Sequence, residues 1–127
     1  LIKQTSDDSI VVAPELCLTN FSFDKLNRAD EFSKEALKQI KELSKNRVIS
    51  LSVIEKRGDK FYNTAKIIAD KKIIHSQDKV KLFRFGDEHK FYTAGSREKV
   101  KIIEINGLRF AILICFEIRF IELWKLI

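Results

Sequence analysis

Cys115 closes the apolar run AILIC and opens a stretch of helical spacing, so its sulfur stands at a strand-to-helix elbow. A thiol near a helix N-terminus is favoured as the thiolate, which suits a nucleophile; filling core space beside Ile114 is the competing role. Glu15 is the first charged residue after the run SIVVAP, and a carboxylate delivered at a strand end is placed for base work. The alternative is an exposed loop acid. Lys79, in DKVKLF, offers an ammonium to a developing oxyanion, or is one solvated lysine among many. Glu88, within GDEHKFYTAG, divides in the same way between site and surface. A strong nucleophile, a cation for an oxyanion and an acid for a departing amine are what hydrolysis of a poor electrophile such as an amide needs.

Other reactive types read differently. His75 follows strand alternation in KKIIHS and is expected partly exposed, and His89 is either a pocket-mouth or a plain loop histidine. Two histidines do not make a metal site, so no metal ligand is assigned. Cys17 is expected to pack, and Trp124 to lie in the core or an interface.

The elements that must hold these groups can be read from periodicity. Ser9 to Ala13 (SIVVA), ending at Pro14, suits a buried strand opening into a loop over 15–28. Phe32, Ala36, Leu37, Ile40 and Leu43 recur at helical spacing, which predicts an amphipathic helix from Asp30 to Lys45 with a stop at Asn46. VISLSVIE, FYNTAKII and KKIIHS then predict three consecutive strands separated by Arg57-Gly58-Asp59 and Asp70-Lys71. Residues 77–99 have no clean period and read as a long loop, a length that hints at function. KVKIIEI and LRFAILIC flank Asn106-Gly107, a hairpin signal, and past Cys115 the residues Ile118, Ile121, Leu123 and Trp124 fall within one helical face. Strands with covering helices point to a layered α/β (α+β) fold in a single domain over residues 1–127.

Composition narrows the classes. The 127 residues are 45% hydrophobic and include ten Phe but only four Gly and one Pro, which excludes disordered and collagen-like chains. Lysine and arginine exceed the acids by 24 − 18 = +6, yet they are interspersed with acids as in KEALKQIKELSK. A nucleic-acid module would cluster its cations among stacking aromatics, so no nucleic-acid partner is expected. No apolar run is long enough to span a membrane, and two distant cysteines with no signal peptide suggest a reducing, cytoplasmic setting. The absence of any methionine suggests a piece of a longer chain.

VVAPELCLTNF, DKVKLFRFGDEHKFYTAG and GLRFAILICFEIRFIELWK resemble, in order and spacing, the three catalytic motifs of the nitrilase (carbon-nitrogen hydrolase) superfamily. Lys79 lies 64 residues after Glu15, Glu88 9 after Lys79 and Cys115 27 after Glu88. The resemblance implies an αββα sandwich, incomplete at both ends here, that pairs into αββααββα dimers or higher homo-oligomers. By motif it makes Glu15 the general base, Lys79 the catalytic lysine, Cys115 the nucleophile and Glu88 the supporting glutamate. Arg119 and Glu122 match positions that are structural or interfacial in relatives. Ile121 departs from the family's usual proline and bears on where the following helix starts.

On this reading Lys79 and the backbone N–H of Phe116 hold the oxyanion, and a small linear amide becomes acid plus ammonia through a thioester, with no cofactor. The wording FRFGDEHKFYTAG is most like the small-acid amidases of the omega-amidase type. The competing expectation is an inactive or incomplete fragment that serves only in association.

Overall fold

The computed structural model describes residues 2–127. A four-stranded sheet runs in the order β1 (Ile10–Val12), β2 (Val48–Arg57), β3 (Lys60–Ala69), β4 (Lys72–Asp78). β1 and β2 are parallel and joined by helix α1 (Leu26–Leu43), whereas β2, β3 and β4 form an antiparallel meander. Parallel neighbours need such a crossover; antiparallel neighbours need only tight turns. The turns are built as the sequence indicates, with Gly58 at φ 59°, and Asp70 and Lys71 at 45° and 67°. Asn106 and Gly107, at φ 51° and 76°, turn a second sheet of β5 (Ile103–Ile105) and β6 (Leu108–Phe110).

Alternation along β2 separates two faces. Ile49, Leu51 and Val53 join Ile68 of β3 and Ile40 of α1 in one core, so α1 covers that side. Burial of such aliphatic side chains is worth about 1.5–3 kcal/mol each and fixes the strand register. Asp30 adds a polar tie, its carboxylate accepting the Lys56 backbone N–H at 2.9 Å and the Lys34 ammonium at 2.6 Å. The opposite face carries Val48 and Ile67, which pack with Ile105, Phe110 and Ile112. Toward the other end of that face stand Ser52, Asn63 and Gln77, and there the candidate site groups assemble.

Several expectations need correction. α1 begins at Leu26, not Asp30, and its buried stripe runs through Ala29, Ser33 and Ile40, which leaves Phe32 54% exposed on the flank. β1 is not buried: it pairs only with β2, and Val12 is 73% exposed. His75 is buried, with Nε2 3.4 Å from Gln77 Oε1, because it points to the face under the 103–112 segment. Residues 111–114 form no strand; no ladder partner reaches them, and Gln77 Nε2 binds the Ile112 carbonyl at 3.0 Å instead. The region expected as loop includes a short helix, α2 (Glu88–Phe91). After Cys115 comes a 3-10 turn over Cys115–Arg119, then α3 (Ile121–Trp124), so the helix starts at the residue that departs from the family pattern. On α3 and the preceding turn only Leu123 of the expected apolar face is buried, and Trp124 is 47% exposed. Cys17 is exposed rather than packed. No helix among the described residues is long and apolar enough to cross a membrane.

Candidate active site

Glu15 is delivered by a turn whose next residue is an anchor. Leu16 is fully buried against Ala29, Ile54 and Tyr92, and its backbone N–H is taken by Ser52 Oγ at 2.8 Å. Its φ of 47° is a costly conformation for a branched residue, and burial offsets that cost. Lys79 follows β4 directly. Its N–H donates to Asn63 O at 2.8 Å and its carbonyl accepts from Gly95 at 2.9 Å, so both backbone groups are clamped. A side chain at 95 would bring its Cβ within 2.5 Å of the Asp78 carbonyl oxygen, which explains glycine there. Glu88 opens α2, with Oε2 accepting the Phe83 N–H at 2.8 Å.

These three side chains meet. The Lys79 ammonium, with no exposed surface, lies 2.7 Å from Glu15 Oε1 and 2.8 Å from Glu88 Oε1. Burial disfavours its charge, but hydrogen bonds and charges from Glu15 and Glu88 outweigh that effect and hold its pKa above the usual lysine range. Tyr92 is pushed up by burial, then by the charges of Glu88 and Glu15, and its hydroxyl donates to the Phe21 carbonyl.

Cys115 borders a cavity of about 560 Å³ that is also lined by Glu15, Lys79 and Glu88 and by apolar side chains that include Phe21, Phe23, Phe83, Phe116 and Ile118. Its φ of 48° makes the elbow expected from the sequence. Cys115 is exposed overall, yet desolvation of the part that faces the cavity raises its thiol pKa first, and hydrogen bonding to Glu15 and that carboxylate's charge add to it; Lys79 and the Phe116 N–H act in the opposite sense. The thiol is thus held toward its protonated form beside the Glu15 carboxylate.

The structure therefore brings Glu15, Lys79, Glu88, Cys115 and the Phe116 N–H to one place. His89 lines a different cavity with Leu82 and Phe120, and His75 lies under the sheet. Among the described residues no three His, Cys, Asp or Glu side chains converge to hold a metal.

Two residues that sequence reasoning passed over stand directly behind the site. Asn63 Nδ2 donates to Glu15 Oε1 at 2.7 Å, and a fully buried Glu117 accepts from the backbone beside Lys79 and Cys115. A polar residue in the apolar alternation of FYNTAKII, and an acid inside ILICFEI, were the available signals.

The model for the carbon-nitrogen hydrolase family matches residues 3–127. The chain belongs to that family. This carbon-nitrogen hydrolase chain is 33% identical over 126 residues to the 2-oxoglutaramate amidase of Bacillus subtilis (strain 168), an alignment covering 94% of the chain and 48% of that protein. It spans about half the length of the curated relatives it matches.

Its fold superposes on Saccharomyces cerevisiae Nit3, a member of branch 10 of the nitrilase superfamily, with a TM-score of 0.77 and 27% identity, covering 96% of this chain and 47% of that one. The glutamine-dependent NAD+ synthetase of Acinetobacter baumannii gives a TM-score of 0.82 and 26% identity over 97% of this chain and 24% of that one. The mixed α/β architecture of the carbon-nitrogen hydrolase chain is thus the nitrilase fold.

Proposed function

We propose that this chain carries the catalytic centre of an amidase that hydrolyses a small linear amide to its acid and ammonia. Convergence of Glu15, Lys79, Glu88 and Cys115 on one cavity carries the reading, and similarity to a 2-oxoglutaramate amidase supports a small-acid amide as substrate.

Amide hydrolysis needs a nucleophile stronger than water and somewhere for negative charge to rest. Glu15 takes the thiol proton as the Cys115 sulfur adds to the acyl carbon. The tetrahedral oxyanion is held by the Lys79 ammonium and the Phe116 N–H. Glu15 returns the proton to nitrogen, ammonia leaves, and a thioester joins the acyl group to Cys115. Water then adds to the thioester, activated by Glu15, and the acid departs as the thiol is restored. Glu88 keeps the ammonium aimed by accepting a second hydrogen bond from it.

Intact-mass analysis of the full-length protein after exposure to a panel of small amides tests this. An acyl adduct mapping to Cys115 is the expected result, and absence of both adduct and ammonia release across the panel would leave association as the chain's role.

We further infer that a second copy of the chain covers the apolar surface around Ile118 (60% exposed), Ile121 (70% exposed) and Trp124. Sedimentation should return a dimer or larger homo-oligomer that Ile121→Glu weakens; a monomer at micromolar concentration would remove this inference.

A further inference from the structure

Glu117 is a carboxylate with no exposed surface, and the reaction above gives it no task. Its Oε1 accepts the backbone N–H groups of Val80 at 2.5 Å and Lys81 at 3.1 Å. Oε2 accepts the N–H of Ile114 at 2.7 Å. Val80 and Lys81 directly follow Lys79, and Ile114 directly precedes Cys115. One side chain therefore binds the main chain beside the ammonium and beside the thiol at once.

Both oxygens face N–H donors, an arrangement that suits the ionised acceptor, since a protonated oxygen would turn its hydrogen toward another donor. Burial raises this acid above the usual carboxylate range, and the N–H groups of Ile114, Val80 and Lys81 and the charge of Lys79 oppose that rise. A buried charge is expensive, and an apolar side chain here would avoid the cost but leave three N–H groups unmet. The return bond from Glu117 N–H to the Ile114 carbonyl, 3.1 Å, closes the turn in which Cys115 sits at φ 48°.

We propose that Glu117 is a positioning residue, a backbone staple that fixes the nucleophile Cys115 relative to Lys79 by binding the chain next to each. The proposal rests on the amidase reading of the site. Glu117 touches no reacting atom; it acts through the elbow that aims the sulfur. Without it the Ile114 N–H loses its partner, the left-handed conformation at Cys115 relaxes, and the sulfur moves away from Glu15 and Lys79. A misplacement of about 1 Å costs on the order of a hundredfold in rate.

The test compares Glu117→Gln and Glu117→Asp with wild type in the full-length protein. Glutamine puts an NH2 group against an N–H donor, and aspartate is too short to reach both segments. Each variant is expected to lose about 10- to 100-fold in kcat with little change in KM.

The second readout is the rate of iodoacetamide alkylation of Cys115 against pH, followed by peptide mapping to separate it from Cys17. In wild type the midpoint is expected above the ordinary thiol range, because desolvation at the cavity and Glu15 raise it. In both variants it should fall toward that of free cysteine as the sulfur leaves them, with Lys79, Glu88 and Arg119 on the same cavity unchanged. Folded variants with wild-type kcat and midpoint would overturn the proposal, as would failure of both variants to fold, which would make Glu117 a folding element. The alkylation profile is read whether or not any amide is hydrolysed, so failure of the amidase reading is seen separately as a wild type without turnover.

Discussion

Replacing Cys115 with alanine in the full-length protein is expected to lower amide turnover by more than about ten-thousandfold while the fold persists. The thioester route needs a sulfur, and neither Glu15 nor Lys79 can replace it: a carboxylate is a poor nucleophile toward amides, and the ammonium has no lone pair. Fold is spared because Cys115 is exposed, so truncating it opens no buried cavity, and alanine is no more strained than cysteine at this backbone angle. Ammonia release and thermal melting, measured on the same preparation, separate the two effects. Retained turnover would sink the covalent mechanism.

Lys79→Met is expected to cost both activity and stability. Wild type balances one ammonium against two carboxylates, with Lys79 2.7 Å from Glu15 and 2.8 Å from Glu88, and neither Lys79 nor Glu88 is in contact with bulk water. Methionine fills most of the volume but leaves two negative groups facing each other without a counterion. Breaking a buried pair by removing one partner costs about 3–5 kcal/mol, much of it the uncompensated charge that remains. The double substitution Lys79→Met with Glu88→Gln should therefore regain part of the lost stability, because one of the two stranded charges is gone, and regain no turnover, because the oxyanion still lacks its cation. Denaturant melts and ammonia release on the two variants check this. A Lys79→Met protein as stable as wild type would mean that the three groups are not electrostatically coupled.

The order of elements was legible because each rests on a local signal: β-branched runs for β2 and β3, Asn106-Gly107 for the hairpin, a 3.6-residue stripe for α1. What was not legible depends on partners distant in the chain. Residues 111–114 have strand composition but no ladder partner reaches them, and β1 has the composition of a buried strand while only one neighbour covers it. Phe32 fits the helical period as well as Ala36 does, and only the docking angle of α1 shows that it lies off the stripe.

At the site, Glu15, Lys79, Glu88 and Cys115 could be named from three motifs, whereas Asn63 and Glu117 could not. Their importance lies in which backbone or carboxylate they meet 37 and 48 residues away, and spacing along one strand or turn carries no trace of that.

Glu15 accepts from both Lys79 and Asn63 through Oε1. One atom of the carboxylate is thereby committed to scaffolding, and in the proposed mechanism its twin is left to handle every transfer: the proton coming from sulfur, the one going to nitrogen, and the one drawn later from water. A base with a single working atom runs in single file. In the proposed cycle the departing ammonia and the incoming water would then use the same spot in turn, so ammonia has to clear it, with the acyl group still on Cys115, before water can add.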